Sequence, residues 1–212
     1  YPQHLPKGQK SYDALVYPHR ALLAFVNWPL GVEPVNPAEL LGHSYRDSIH
    51  GYLAFRNRWK DADDCIVTAY LKTGPQGYIK NNDVTVKVWG LGLRAALPGV
   101  TGKLAGCDVK PDGSAVFSVE NGTSVAVDFS GASGSPCLVA VAGAGTNVKA
   151  GEEKSRDGSA SAKTTVLNVA DRTVAILTLQ KGAAPAVKAD GAAITVGGQT
   201  IRLEGGKLAI GK

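Results

Sequence analysis

The sequence predicts a mainly β protein, an antiparallel β-sandwich preceded by a short helical and extended N-terminal segment. Two observations carry that expectation. Residues 49–89 hold three runs in which apolar and polar side chains alternate, the period of half-buried strands. After Gly90 the composition shifts to Gly, Ala, Val and Thr, cut into short β-like runs by turn signals. Twelve of the fourteen aromatic residues lie in residues 1–90, and only Phe117 and Phe129 come later, so the two parts differ in character. The expected division is a helical and proline-rich connector over residues 1–48, then a sandwich over residues 49–212.

Residues 1–13 are polar, contain Pro2 and Pro6, and read as loop. Pro18 suits the first position of a helix, where its missing N–H leaves no bond unmade. The helix over residues 19–26 carries Ala21, Leu22, Leu23, Ala24, Phe25 and Val26 in succession. It has no polar side there and must be buried against another element. Such a helix fits the end of a larger helical domain. Trp28 and Pro29 end it, and residues 30–48, with Pro34 and Pro37, read as an extended linker. The chain has no methionine and opens at Tyr1, so it is expected to be either processed or cut from a longer protein, the second being the preferred reading.

The first strand is expected over residues 49–59. Ile49, Leu53, Phe55 and Trp59 are its apolar positions, set against His50, Tyr52, Arg56 and Arg58. Residues 60–64, KDADD, turn the chain. Residues 65–72 form the second strand, with Thr68, Tyr70 and Lys72 on one face. Residues 73–82 are turn-rich. In residues 83–89, Val84, Val86 and Val88 alternate with Thr85, Lys87 and Trp89. If these strands pair, one face gathers His50, Arg56, Arg58, Tyr70, Lys72, Lys87 and Trp89. Cations and aromatics together suit an anionic sugar polymer. The competing reading is an ordinary solvated outer face.

Further strands are expected over residues 115–120, 124–129, 137–141, 164–169 and 173–179. Asp112-Gly113 and Asn121-Gly122 are turn signals between them. Residues 143–162 are polar, charged and small, and read as a mobile loop. Residues 186–212 read as short hairpins through Asp190-Gly191, Gly197-Gly198 and Gly205-Gly206.

Several function classes find no support. The net charge of +5 is spread along the chain with no dense Lys/Arg run, so a nucleic-acid partner is not expected. No apolar run approaches the roughly 18 residues of a membrane span. His4, His19, His43 and His50, with Asp47, lack the spacing of a metal site. Asp61, Asp63 and Asp64 lack the glycine and the later glutamate of a calcium loop. Ser133 and Ser135 sit in a turn, not between a strand and a helix as a hydrolase nucleophile would. No GxGxxG element follows a strand, and no cofactor is expected. Cys65, Cys107 and Cys137 allow one disulfide with one free thiol, or none.

The order of an apolar helix, a proline-rich linker, the strand GYLAFRNRW, the turn DADD and an apolar strand carries a resemblance. It resembles the junction between the helical toroid and the β-sandwich of heparinase II/III-like polysaccharide lyases. The matching positions are Gly51, Arg56, Arg58, Trp59, Asp61, Asp63 and Asp64, and the ending AITVGGQTIRLEGGKLAIG looks like that sandwich's last hairpins. The resemblance implies a uronic-acid-containing polysaccharide as partner, β-elimination as the chemistry, and a periplasmic or secreted location. It also implies a missing helical domain or companion chain carrying much of the catalytic machinery. One departure matters. Where the family places a His-x-His-x-Asp-like element, this chain has TGPQGYIKNND, whose apt residues are Tyr78, Lys80 and Asn81. Elimination needs a base for the C5 proton and a group that neutralises the neighbouring carboxylate. The isolated chain is therefore expected to be inactive, and a non-catalytic carbohydrate-binding or structural sandwich is the alternative.

Overall fold

Strand β1 (Ser44–Asp47) opens the first of three antiparallel sheets, which runs in the order β1, β2 (Tyr52–Arg56), β3 (Ile66–Tyr70), β4 (Thr85–Gly90) and β5 (Leu93–Pro98). The computed structural model describes residues 26, 31–33, 35–61, 64–71, 85–98, 100–131, 137–143 and 148–211. The chain divides into two units, Tyr1–Asn36 and Pro37–Lys212. The apolar run over residues 21–25 lies outside the described residues, as do Lys72, Tyr78, Lys80 and Asn81.

The second unit begins with one turn of helix, α1 (Pro37–Leu40), opened by a proline at a position where no N–H is needed. Both α1 and β1 lie in the stretch read from sequence as connector and linker.

The second sheet has seven strands: β6 (Leu104–Val109), β7 (Ala115–Val119), β8 (Ser124–Asp128), β9 (Cys137–Ala142), β10 (Gly151–Lys154), β11 (Ala160–Val169) and β12 (Arg172–Lys181). Their spatial order is β10-β11-β12-β9-β8-β7-β6. The third sheet is a meander of β13 (Val187–Asp190), β14 (Ala193–Val196), β15 (Gln199–Glu204) and β16 (Lys207–Ile210).

Two cores place the second sheet in the middle. On one side Leu53, Phe55, Val67, Val86 and Val88 of the first sheet pack on Phe117, Val125, Val127, Val139, Val141 and Leu177. The Phe55 and Phe117 rings stack with centroids 5.9 Å apart. On the other side Ala126, Leu138, Ala140 and Ile176 pack on Ile194, Val196, Ile201, Leu203 and Leu208. Each large aliphatic side chain so buried contributes about 1.5–3 kcal/mol. The expected mainly β, antiparallel sandwich is thus present, with a third sheet laid on its back.

This layering explains the sequence runs. β2 reads YLAFR and β3 reads IVTAY, with Leu53, Phe55, Val67 and Ala69 inward, because one face of the first sheet is covered. β9 reads CLVAVA without alternation because both of its faces are covered and all six residues are buried. The middle of β12, VAILTL, is buried throughout for the same reason.

Residues 143–162, expected to be a mobile loop, contain β10 and the start of β11, so that expectation is corrected. β10 is the exposed edge strand Gly151-Glu152-Glu153-Lys154, paired with Ser161–Thr164. An edge strand with no covered face has no apolar period to show.

The turns follow backbone stereochemistry. Gly197-Gly198 and Gly205-Gly206 have positive φ at both positions, as two-residue hairpin turns require. Leu91-Gly92 and Ala170-Asp171 do the same work with non-glycine residues at φ 51°, 45° and 63°. Gly113 is needed for a second reason. A Cβ there would stand 2.2 Å from the Arg56 carbonyl oxygen, so the β6–β7 turn can approach β2 only without a side chain.

Candidate functional site

The register of the first sheet sorts its outer residues into rows. One row crosses the sheet as Arg56, Ile66, Trp89 and Arg94, each the cross-strand partner of the next. The next row runs Tyr45, Ala54, Thr68, Lys87 and Ala96. A third joins Asp47, Tyr52 and Tyr70. Cross-strand neighbours lie within reach of one another, so each row behaves as a unit. The middle row has small side chains at Ala54, Thr68 and Ala96, while the flanking rows carry bulky ones. We call this strip of smaller side chains, which includes Lys87, the furrow.

One end of the furrow deepens into a groove of about 310 Å³. Tyr45, Ala54, Arg56, Trp59 and Ile66 line it, together with residues 41–44. His43 of this lining contacts the Arg56 carbonyl through Nδ1 at 2.8 Å. A carbonyl only accepts, so Nδ1 is the donor in that contact.

The acidic turn after β2 organises the cations beside the groove. Asp64 Oδ2 accepts hydrogen bonds from Arg56 Nη2 and the Lys60 amide, both at 2.8 Å. Its Oδ1 accepts the Asp61 amide at 3.2 Å. Arg58 Nε lies 3.1 Å from the same oxygen, an ion pair without hydrogen-bond alignment, while Arg58 Nη2 bonds Asp61 at 2.8 Å. Burial alone would raise the Asp64 carboxyl, but Arg56 and the two amides outweigh it and hold the group below its ordinary value. The Arg56 guanidinium also lies over the Trp59 ring, 3.9 Å from its centroid. The charges of Arg56 and Arg58 are therefore met largely within the protein.

The structure brings Arg56, Tyr70, Lys87 and Trp89 to one face, as the alternation predicts. Three site expectations change. His50 sits in the β1–β2 turn rather than on a strand, with Nδ1 2.8 Å from Asp47 Oδ2. The His50 amide, then its ring, hold the Asp47 carboxyl below the usual range. Arg58 lies past the end of β2, in the turn. Tyr70 is only 5% exposed and packs on the Tyr52 ring at 5.0 Å, so it supports the face from beneath.

Two contributors went unread in the sequence. Tyr45, 62% exposed, enters through β1. Arg94 enters through β5 and lies over the Trp89 ring, 4.6 Å from its centroid. Trp89 is itself 39% exposed, and Arg94 makes no ion pair among the described residues. The available signal for Arg94 was the hairpin Gly90–Leu93, whose turn is disguised by Leu91.

A second cavity, about 650 Å³, lies between the β4–β5 and β10–β11 turns and is lined in part by Arg156, Asp157 and Lys181. Asp157 there accepts the Ser155 and Ser159 hydroxyls at 2.7 Å each and the Ser159 amide at 3.0 Å. Those bonds, the Ser155 hydroxyl foremost, hold its carboxyl far below the ordinary value and close the hairpin turn. Among the described residues no group of three His, Cys, Asp or Glu stands close enough to hold a metal ion. Nor is any helix there long and apolar enough to cross a membrane.

Comparison of the chain with protein-family models, with curated proteins and with solved structures finds no match.

Proposed function

We propose that this chain supplies the β-sandwich wall of a polysaccharide-lyase-like protein acting on a uronic-acid polymer, and that the polymer lies in the furrow of the first sheet. The observation that supports this reading best is the exposed Trp89–Arg94 pair beside Lys87. An aromatic ring offers its face to the C–H surface of a sugar, and a cation beside it meets the sugar's carboxylate. Tyr45 and Trp59 offer the same kind of surface at the groove end. In this reading a helical portion on a longer or companion chain supplies much of the catalytic machinery, in a periplasmic or extracellular setting. No cofactor enters.

Calorimetric titration with uronic-acid oligosaccharides tests the proposal. Trp89→Ala and Arg94→Ala are each expected to weaken binding about tenfold, the equivalent of about 1.4 kcal/mol. Added salt should weaken the wild type as well, because surface ion pairing is screened over about 10 Å at 0.1 M. Equal affinity of wild type and both variants would remove the furrow from consideration.

A second reading has its own support. Arg56 and Arg58 are engaged by Asp64 and Asp61, which leaves a largely aromatic groove and fits a non-catalytic carbohydrate-binding module. The two readings separate on native mass. The lyase wall requires a helical partner portion, whereas the module binds sugar as a free 22.0 kDa chain. Both expect no unsaturated product from this chain alone.

A further inference from the structure

We infer that Cys65 and Cys137 form a disulfide between the first and second sheets when the chain folds in the presence of a small-molecule disulfide oxidant such as oxidised glutathione. Cys65 precedes β3 and Cys137 opens β9, so they belong to facing layers of one core. Both are buried free thiols of that core, and Cys65 is the neighbouring side chain that acts most on the Cys137 thiol. The residues around them independently put both in one small region of that core. Leu179 is the cross-strand partner of Cys137, and a Cβ built on Gly90 would touch both Leu179 Cδ2 at 3.1 Å and the Cys65 Cα at 3.3 Å. Cys65 is further held by Asn57, whose side-chain oxygen accepts the Cys65 amide at 2.9 Å. Cys107 lies on edge strand β6, separate from this contact.

The chemistry is two successive exchanges. One cysteine thiolate attacks the oxidant's S–S bond and expels one thiolate, leaving a mixed disulfide on the protein. The second cysteine attacks the protein-bound sulfur of that mixed disulfide and expels the other thiolate. The protein loses two protons and two electrons, and the oxidant is reduced to two thiols. Burial, then the Cys65 side chain, pushes the Cys137 thiol up, so Cys137 itself holds little thiolate once the core has closed. Formation therefore belongs to folding, as the sheets close, and the finished bond is shielded from reductant.

The test refolds the reduced full chain with a reduced and oxidised glutathione mixture, unfolds it in iodoacetamide, and maps the peptides by mass spectrometry. The expected result is a linked Cys65–Cys137 peptide with Cys107 alkylated. A cross-link over so long a loop should raise Tm by on the order of 10 °C over the reduced chain. Cys107→Ser should keep both the link and the rise. Cys137→Ala, which keeps a small apolar side chain in the core, should abolish both. Alkylation of all three cysteines after oxidative refolding, or a link through Cys107, would overturn the inference.

Discussion

Tyr45, Tyr52, Trp89 and Arg94 populate the outer face of the first sheet, whereas Lys188, Thr195, Arg202 and Glu204 are exposed on the third. Both sheets cover the same middle layer, and both bury one face of alternating aliphatic residues. The third sheet shows what solvent contact requires: threonine and charged side chains, with no aromatic at all. The aromatics of the first sheet are therefore not demanded by packing or by the strand period. Among the described residues, large rings left 39–62% exposed occur on that face alone, and Arg94 lies over one of them, Trp89. The difference separates a face that closes the fold from one that offers a surface.

Four measurements break or sharpen that contrast, and the largest effect concerns how the first sheet is seated. Gly113→Ala drives a Cβ to 2.2 Å from the Arg56 carbonyl at a φ of 85°. It should cost roughly 3 kcal/mol or more in chemical denaturation. Gly191→Ala at the edge of the third sheet also has positive φ but meets nothing within 4 Å, and should cost only about 1 kcal/mol. Equal costs would show that the turn moves freely under β2.

Asp64→Ala comes next. It strands Arg56 and Arg58 beside a half-buried turn and should cost about 2–4 kcal/mol. Arg202→Ala on the third sheet should stay within about 0.5 kcal/mol of wild type. A third measurement follows stability against pH. The depressed Asp64 carboxyl contributes stability that is present above its unfolded value of about 4 and lost as pH falls through the lower folded value. Wild-type stability should therefore fall in this acid range, and the fall should be shallower in Asp64→Asn. Indistinguishable acid profiles would remove Asp64 from the account.

The smallest effect is a gain. Ala170 and Asp171 carry the β11–β12 turn at φ 45° and 63°. Replacing them together by Asn and Gly should stabilise the protein by about 0.5–1 kcal/mol. A loss of stability would mean that the native turn makes contacts its dihedral angles do not reveal.

What was legible in the sequence follows from which faces are wet. β2, β3 and β4 were readable because Leu53, Phe55, Val67, Val86 and Val88 alternate with solvent-side residues. β8, β9 and β12 were found as apolar runs, but their lack of alternation was not read as a sheet covered twice. The third sheet was anticipated through its Gly-Gly turns, as hairpins rather than as a separate layer. β5 was missed because Leu91 occupies a position where glycine or asparagine is the usual signal, and Arg94 was lost with it. β10 was missed because Glu152, Glu153 and Lys154 have no apolar period. At the candidate site the face of Arg56, Lys87 and Trp89 was readable from alternation. The capture of Arg56 and Arg58 by Asp64 was not, because it depends on how the chain returns between β2 and β3.

β10 has one further consequence. The middle sheet holds β9 and β12, both buried almost throughout, and an open edge on such a sheet is a template for pairing with another chain. On the β11 side that edge is capped by Gly151-Glu152-Glu153-Lys154, four exposed residues, three of them charged. A second molecule approaching edge to edge meets two carboxylates and an ammonium group, to be desolvated before any ladder forms. The strand with the weakest fold signal thus raises the cost of edge-to-edge pairing on the sheet that holds Cys137–Ala142 and Arg172–Lys181.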